Sequence, residues 1–328
     1  MPKIHFLNVC DGDCTVIEHN SGHVTVIDVC NAGPEDAVVE KSQSFLAEAE
    51  TGASGNFNQK KYPVNPISYL KEHGISSIFR FIATHPDMDH LDGIKRFFSE
   101  FSPTNFWDTA NKEAKDFKKE AKKYDEEDWK FYEELRDANP RTDPKRLVLH
   151  AGDTGKYFNE DEAGNSGGDG LKILAPTKAL VTQANACGDY NDCSYVLLYR
   201  TAGRKILFGG DSHDKTWEYI LATYEDSVRD VDLLIAPHHG RASSRSYDFL
   251  DVLKPRLTLF GNARSEHLAY GAWNYRKLPF ITNNQAGSVV IDVGERIDVY
   301  VTHKRFAETY TASPIYSNEN RAYHLGWI

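Results

Sequence analysis

The sequence lacks any run of about 18 apolar residues, which a membrane-spanning helix needs. Its first residues, MPKIHFLNVCDGD, enter a strand-like pattern at once and contain no signal-peptide core, so we expect a cytoplasmic protein with no membrane partner. Cysteine is scarce, and the odd count of five in 328 residues fits reduced thiols better than a disulfide framework. A zinc site built from Cys10, Cys14, Cys187 and Cys193 is the less favoured alternative, because neither pair has CxxC spacing.

An excess of positive charge is also missing. Lys and Arg number 38 against 48 Asp and Glu, which gives a formal net charge of −10. Tight non-specific binding to a nucleic acid depends on neutralising phosphates with Lys and Arg, so this balance argues against a general nuclease. Bound divalent cations would change the field locally, however, so the net charge does not describe a metal site. Hydrophobic residues at 40% and aromatic residues at 12% are sufficient for a globular core.

The stretch IFRFIATHPDMDHLDG, residues 78–93, carries the strongest chemical signal. An apolar run, Phe79 to Ala83, predicts a buried strand, and it stops at a cluster of two histidines and three aspartates. In chain order, its ligand-type residues are His85, Asp87, Asp89 and His90. Imidazole nitrogens and carboxylate oxygens bind Zn²⁺, Mn²⁺ or Fe, and four such groups in six residues exceed what one structural site needs. We therefore predict two metal ions here; a hydrated acidic loop is the alternative.

Two later strands also end in ligand-type residues. The strand predicted at 205–208 runs into Gly210-Asp211, and the apolar segment from Asp230 to Ile235 ends at His238-His239. Ligands that converge on one edge of a sheet are what a metal site in a β-sandwich requires. Helices are predicted after the two carboxylate-bearing strand ends, at 94–101 and 216–224.

The first motif resembles the HxHxDH signature of the metallo-β-lactamase superfamily, with Asp87 in place of the second histidine. This variant is similar to the nuclease-type domain of competence DNA-uptake proteins (the ComEC type) and their free-standing relatives. Further motifs occur in the same order: Asn191-x-x-Ser194, Gly210-Asp211 and the APHHG segment that ends at Gly240. The resemblance spans roughly residues 3–300, and it implies an α/β fold, the αββα four-layer sandwich of that superfamily.

The resemblance also implies roles for individual residues. One metal would be held by His85 and Asp87, with Asn191 as a further candidate, and the other by Asp89, His90 and His238, with Asp211 bridging. Asp89, Asp211 and His267 are the candidate catalytic residues, although the spacing around His267 departs from the family pattern. Asn191 and Ser194 are candidates for metal or substrate contacts, and Asp13, Asp28 and His239 for support of the ligands. For Asp28, an aspartate that only orients a turn is an equal alternative. Arg241 and Arg245 follow the HHG turn, and Arg241 is a candidate for phosphate binding.

The segment 103–145 is predicted as a charged helical insertion in a domain that spans residues 1–303. Basic residues crowd 115–123 and acidic ones 125–137, with a helical face that includes Tyr124 and Tyr132. The usual interpretation of such charge runs is a solvated surface, and a lid or partner-binding element is the alternative. We predict that residues 304–328 form a tail that packs on the domain or on a partner, such as a second copy of the chain.

These features favour a divalent-metal-dependent hydrolase, a phosphodiesterase or nuclease that uses a hydroxide bridging two ions, Mn²⁺ or Zn²⁺. Its substrate would be a nucleic acid or a nucleotide. Asp87 makes the site richer in oxygen, which shifts the expected preference toward manganese. A zinc-dependent ester, lactone or thioester hydrolase of the same fold is the first alternative, since it needs less cationic surface. An inactive binding protein on the same fold is the second.

Overall fold

The computed structural model describes residues 1–34, 57–117, 123–138, 143–161, 163–243, 245–263 and 267–328. The strands are β1 (Lys3–Phe6), β2 (Thr15–Glu18), β3 (Val24–Ile27), β4 (Arg80–Ile82), β5 (Asn105–Asp108), β6 (Lys145–Val148), β7 (Leu171–Ala175), β8 (Val196–Thr201), β9 (Arg204–Phe208), β10 (Leu233–Ile235), β11 (Leu257–Phe260), β12 (Phe280–Thr282), β13 (Val289–Val293), β14 (Ile297–Val301), β15 (Tyr316–Ser317) and β16 (Ala322–Trp327).

The helices are α1 (Pro66–Glu72), α2 (Ile94–Phe101), α3 (Glu126–Asp137), α4 (Lys178–Cys187), α5 (Asp214–Val228), α6 (Phe249–Leu253), α7 (Tyr270–Tyr275), α8 (Asn283–Ala286) and α9 (Lys304–Ala307). Three short 3₁₀ turns carry motif residues: Met88–His90, Asn191–Cys193 and Pro237–Gly240. A fourth, Gln59–Lys61, lies outside the motifs. Within the described ranges, no helix is long and apolar enough to cross a membrane.

The strands form two sheets. The larger has the order β15-β16-β14-β13-β1-β2-β3-β4-β5-β6, and the smaller has the order β12-β11-β10-β9-β8-β7. Strands β3 to β6 run parallel, as do β9 to β12, so the carboxyl ends of each set share one edge of their sheet. The three motif-bearing strands, β4, β9 and β10, belong to these parallel sets.

Side chains alternate between the two faces of each strand, so each sheet packs on the other sheet on one face and on helices on the other, which gives four layers. Inward residues of the large sheet, such as Ile82 and Trp107, pack against inward residues of the small sheet, such as Phe208 and Ile235, in one buried cluster. Each fully buried side chain of this size contributes about 1.5–3 kcal/mol. The opposite faces pack on helices, and the predicted αββα four-layer sandwich is therefore confirmed.

Helices cover both outer faces. On the large sheet, Phe81 of β4 packs with Phe97 and Phe98 of α2. On the small sheet, Leu234 lies in one cluster with Trp217 of α5, as well as with side chains of α6 and α7. Helix α1 starts where the Asn65 side chain accepts hydrogen bonds from the backbone N–H groups of Ile67 and Ser68, which fixes its entry next to β4.

The predicted insertion is shorter in the structure than in the sequence interpretation. Strand β5, Asn105–Asp108, pairs with β4 and belongs to the large sheet, so the insertion begins only after it. The charged segment contributes α3, whose Trp129 and Tyr132 are buried beside the large sheet rather than solvated. Residues 118–122 and 139–142 of this segment lie outside the described residues.

The carboxyl-terminal segment 304–328 is part of the sandwich. Strand β16 pairs antiparallel with β14, and β15 pairs with β16 at the edge of the large sheet. Ala322 and Phe306 are buried. The predicted boundary at residue 303 therefore does not divide the fold, because the last strands extend the main sheet.

Candidate metal centre

The loop after β4 places its ligand-type side chains at the carboxyl edge of the large sheet. The chain turns through the 3₁₀ turn Met88–His90, and the backbone N–H of Val29 donates to the His90 carbonyl at 3.1 Å. His85 and His90 are both buried, with ring centroids 4.2 Å apart. Asp87 lies beside them, with its Oδ2 3.6 Å from the Nε2 of His85.

Asp211 brings the small sheet into the same cluster. Its Oδ1 lies 3.3 Å from the Nε2 of His90, and its Oδ2 lies 3.7 Å from the Nε2 of His85. The turn from β9 into Asp211 requires glycine at position 210, because φ there is +50° and a Cβ would lie 2.7 Å from the carbonyl oxygen of Tyr195. Ligand-type side chains from the two sheets therefore lie together at one edge.

The second histidine of the HHG turn, rather than the first, joins Asp89. The Nε2 of His239 lies 3.5 Å from the Oδ2 of Asp89 and 3.7 Å from the Oδ2 of Asp211. The sequence prediction instead puts His238 at that position and gives His239 a supporting role. Local backbone geometry differs from that of an extended pair: His238 and His239 have φ of +53° and +55°, in the left-handed region, so their side chains do not simply point to opposite sides.

The predicted supporting aspartates lie behind the imidazoles. Asp28 accepts hydrogen bonds from the backbone N–H and the hydroxyl of Thr84, at 2.8 and 2.6 Å, and its Oδ2 lies 2.7 Å from the Nδ1 of His90. Asp13 has its Oδ1 3.1 Å from the Nδ1 of His239. A hydrogen bond such as the one that Asp28 accepts from His90 orients a ligating imidazole and fixes its tautomer.

Among the residues that the structure describes, three sets of side chains have ligand atoms mutually within 4.8 Å: His85, His90 and Asp211; Asp89, His90 and His239; and Asp13, Asp211 and His239. Several of these atoms are buried without a hydrogen-bond partner, namely the Nε2 atoms of His85, His90 and His239 and the Oδ1 atoms of Asp13 and Asp211. An unpaired buried polar group lowers the free energy of unfolding by about 1–3 kcal/mol. Five such atoms in one cluster would therefore be strongly destabilising without a shared partner. Imidazole nitrogens with carboxylate oxygens suit Zn²⁺ or Mn²⁺, and the residues present therefore fit divalent metal ions.

The ionisation of the carboxylates in the cluster also fits bound cations. Burial raises the pKa of Asp211, but His90, His239 and His85 outweigh it and hold that pKa well below its usual range. For Asp89, burial is likewise outweighed by the hydrogen bond and charge of His239 and by His90, and its pKa is about 2. These carboxylates are therefore ionised and available to a cation at neutral pH.

Lys115 is a contact that the sequence analysis did not identify. Its Nζ lies 3.1 Å from the Oδ1 of Asp87, and its side chain is almost fully buried, over the ring of Trp129. With the neighbouring His85, it holds the pKa of Asp87 below its usual value against the raising effect of burial. The charged segment before α3 therefore reaches the metal centre, although nothing in its pattern marked Lys115 among the other lysines.

Three further predicted residues have contacts that differ from those of the cluster. Ser194 is fully buried, and its hydroxyl accepts from the backbone N–H of Asp211 at 3.1 Å, so it fixes a ligand instead of facing a substrate. Asn191 begins the 3₁₀ turn before β8, and its backbone N–H donates to the Oδ1 of Asp189. His238 has its Nε2 3.7 Å from the Oδ2 of Asp211, and burial lowers its pKa to about 3, so its imidazole is neutral at pH 7.

A cavity of about 290 Å³ opens beside the His239 side of the centre. Its lining residues are Asp11, Asp89, Lys123, His239, Arg241, Asn262, Ala263 and His267. The predicted phosphate-binding Arg241 and the predicted catalytic His267 thus share one cavity with two ligand-type residues. The carbonyl of His267 accepts from the backbone N–H of Ala242 at 2.5 Å, which ties the His267 segment to the HHG turn.

No protein-family model matches the sequence, and the search of curated proteins gave no match. Among solved structures, the chain is similar to YhfI from Bacillus subtilis, a metallo-beta-lactamase fold protein, with 9% identity and a TM-score of 0.43 over 88% of this chain and 100% of that one. It is similar to Igni18, a metallo hydrolase from Ignicoccus hospitalis, with 11% identity and a TM-score of 0.48 over 89% and 99%. A diphosphatase from the PhnP family gives 13% identity and a TM-score of 0.39 over 88% and 97%. At these values the comparisons assign no residue role, and the architecture rests on the sheets described above.

Proposed function

We propose that this protein is a divalent-metal-dependent hydrolase that cleaves phosphodiesters. The observation that carries the proposal is the convergence of buried, unpartnered imidazole and carboxylate atoms from both sheets at the wall of a cavity with cationic side chains. Bound divalent ions supply Lewis-acid polarisation of an ester oxygen and lower the pKa of water. The chain's own residues then have to hold the substrate, orient it and manage its protons.

Arg241 and Lys123 are the candidate phosphate contacts. Both line the cavity, and a guanidinium binds two phosphate oxygens at once. Lys123 lies 3.8 Å from Asp11, an exposed pair that water screens and that a phosphate can displace. His267 lies in the same cavity and is exposed to solvent, where its imidazole can donate a proton to a leaving alkoxide.

The size and charge of the surroundings favour a small substrate. A cavity of about 290 Å³ lies at the low end for ligand sites and accommodates a nucleotide-sized phosphodiester in part. The net charge of −10 disfavours tracking along a polyanion, because each neutralised phosphate needs a cation from the protein. We therefore propose a nucleotide or cyclic nucleotide, in preference to a nucleic acid polymer, as the substrate.

One observation favours the alternative of a zinc-dependent ester, lactone or thioester hydrolase. Three candidate imidazole ligands, those of His85, His90 and His239, have their Nε2 atoms within 3.7 Å of the Asp211 carboxylate. Zinc is commonly held by such sets. The same protein preparation can decide between the two activities.

The test is turnover by protein loaded with Mn²⁺ or Zn²⁺, measured on cyclic dinucleotides, bis(p-nitrophenyl) phosphate, single- and double-stranded DNA, RNA, a lactone and a thioester. We expect hydrolysis of the small phosphodiesters, lost in Asp89→Ala and retained in Asp226→Ala, which removes an exposed carboxylate from α5. Turnover of the lactone or thioester alone would establish the alternative. No turnover of any substrate by a metal-loaded sample would refute the hydrolase proposal.

A further inference from the structure

The histidines of the centre differ in what their Nδ1 atoms contact. The Nδ1 of His90 lies 2.7 Å from a carboxylate oxygen of Asp28, and the Nδ1 of His239 lies 3.1 Å from one of Asp13. An ionised carboxylate only accepts hydrogen bonds, so the Nδ1 of His90 carries a proton. The Nδ1 of His239 and the Oδ1 of Asp13 lie close to each other but lack hydrogen-bond geometry, so this contact does not fix the His239 tautomer. A neutral imidazole with its proton on Nδ1 has its lone pair on Nε2, which in His90 points into the cluster.

His85 follows the same pattern through a hydroxyl. Its Nδ1 lies 3.1 Å from the Oγ1 of Thr84, and that hydroxyl donates its proton to Asp28 at 2.6 Å. The Thr84 oxygen is therefore left to accept from His85. In their neutral forms, His85 and His90 thus present an Nε2 lone pair to the centre, as metal ligands must.

His238 has the opposite arrangement. The Nη2 of Arg245 lies 2.7 Å from its Nδ1, and a guanidinium has N–H donors and no acceptor. The Nδ1 of His238 must therefore accept, which leaves the proton of the neutral ring on Nε2. Rotating the ring by 180° would put a C–H group against the guanidinium at this distance, so the ring orientation is fixed by the same contact.

Arg245 is held firmly enough to impose this tautomer. It is 7% exposed, and its Nη1 donates to the carbonyl of Ser212 at 2.6 Å while its Nε donates to the hydroxyl of Ser243 at 2.8 Å. Moving it away would leave a buried charge without partners, which costs several kcal/mol. The Nε2 of His213 lies 3.3 Å from the same Nδ1 and closes that side of the ring.

An Nε2–H group cannot donate a lone pair to a metal ion. Ligation by His238 would require either a doubly deprotonated ring or loss of the Arg245 contact. The His238 side chain is 15% exposed, so its Nε2 edge can reach a bound molecule, and at 3.7 Å from the Oδ2 of Asp211 it is too far for a hydrogen bond to that ligand.

We propose that His238 is not a metal ligand but a hydrogen-bond donor, through Nε2–H, to a substrate oxygen that gains negative charge in the reaction, and that Arg245 positions it. The proton stays on His238 throughout, so the residue stabilises charge without acting as an acid. The donor role rests on the proposed hydrolase function. The tautomer and the exclusion from the ligand set do not, because they follow from the Arg245 contact alone.

Metal content tests the exclusion. His238→Gln and His239→Gln replace adjacent residues of one turn by the same side chain and are matched controls for each other. After loading with Zn²⁺ and dialysis, we expect His238→Gln to retain the wild-type number of ions per chain and His239→Gln to lose at least one. Loss of an ion in His238→Gln, with a native circular dichroism spectrum, would overturn the proposal.

Imidazole ¹⁵N spectra test the tautomer directly. In histidine-labelled protein we expect the His238 signal, identified by its absence in His238→Gln, to show a protonated Nε2 both before and after Zn²⁺ is added. The Nε2 signals of His85, His90 and His239 should shift on metal addition. Deprotonation of the His238 Nε2 by Zn²⁺ would overturn the proposal, and Arg245→Met should allow the Nδ1–H form to appear.

Kinetics test the donor role. Removing one preorganised donor to a developing oxyanion lowers kcat by about 10²–10³-fold. We expect His238→Ala to lower kcat on the hydrolysed phosphodiester by this factor with a smaller change in KM, and His238→Gln, which keeps an N–H donor, to recover part of it. An unchanged kcat in His238→Ala would refute the donor role. If no substrate is hydrolysed, the function above fails, while ion counts and spectra still decide whether His238 is a ligand.

Discussion

Replacing Asp28 by asparagine should weaken metal binding although no ligand is changed. The carboxylate of Asp28 is buried and accepts from three donors: the backbone N–H of Thr84 at 2.8 Å, its hydroxyl at 2.6 Å and the Nδ1–H of His90 at 2.7 Å. An asparagine amide has one oxygen and one NH₂ group. At least one of the three donors therefore faces another donor in the variant.

The size of the effect follows from the tautomer of His90. If the NH₂ group faces His90, its Nδ1 must become an acceptor and the ring proton moves to Nε2, the atom that points at Asp211. Loss of such a supporting partner lowers metal affinity by about 10–100-fold. This corresponds to about 1.4–2.7 kcal/mol of binding free energy.

The assay is competition for Zn²⁺ against a chromophoric chelator at pH 7.5, with unfolding of the metal-free protein in urea measured in parallel. The matched control is Asp169→Asn, which removes another buried carboxylate that accepts from Arg80 at 3.0 Å and from Ser21 at 2.6 Å, away from the ligands. We expect Asp169→Asn to lower the free energy of unfolding and to leave the Zn²⁺ affinity unchanged. Wild-type affinity in Asp28→Asn would refute the reasoning.

Two other substitutions test the geometry and the pH response of the fold. In Gly12→Ala the new Cβ would lie 2.0 Å from the carbonyl oxygen of Asp89, so we expect urea unfolding to show a loss of about 1–3 kcal/mol and Zn²⁺ affinity to fall. Gly271→Ala, at an exposed position of α7 with no atom within 4 Å, should lower neither the free energy of unfolding nor the Zn²⁺ affinity, and a neutral Gly12→Ala would contradict the packing. Burial lowers the pKa of His19 to about 4, so its contribution to stability is complete above the unfolded pKa of about 6.5 and is lost as pH falls from there through about 4. This loss of unfolding free energy is about 3 kcal/mol at pH 4. His19→Gln can keep the hydrogen bond to the Thr25 hydroxyl, and the variant should lack this loss when unfolding of the metal-free protein is measured against pH. An identical pH dependence in the variant and the wild type would show that the pKa of His19 is not lowered.

Local patterns were sufficient to predict the strand, ligand loop and helix of the first motif. The apolar run at 79–83 and the helical spacing after Gly93 predicted β4 and α2 because those residues pack on the same apolar layer. The meeting of Asp211 with His85 and His90 agrees with the prediction that strands ending in ligand-type residues converge on one edge. These inferences need only periodicity and the order of elements along the chain.

The choice between His238 and His239 could not be made from the sequence. It depends on two consecutive left-handed residues in the 3₁₀ turn, a conformation that neither side chain type predicts. The contact of Arg245 with His238 likewise depends on how the chain returns after the HHG turn. Both are tertiary features, and they decide which imidazole presents a lone pair to the centre.

The sequence pattern also did not predict strands β5 and β16 of the large sheet. Strand β16, AYHLGW, has intermediate burial along most of its length and joins the sheet mainly through backbone pairing with β14, so alternation of apolar residues did not mark it. Strand β5, NFWD, lies within the segment 103–145, which the sequence predicts as a charged helical insertion. Short strands at the ends of a sheet depend on their neighbours more than on their own composition.

The most direct measurement of the central claim is anomalous X-ray diffraction from crystals of the Zn²⁺- or Mn²⁺-loaded protein. We predict two anomalous peaks about 3.5–4 Å apart at the carboxyl edges of the two sheets, with the Nε2 atoms of His85, His90 and His239 and the carboxylate of Asp211 as ligands and the Nε2 of His238 outside the coordination sphere. Peaks elsewhere on the molecule, or the absence of metal at this edge in a loaded crystal, would contradict the account.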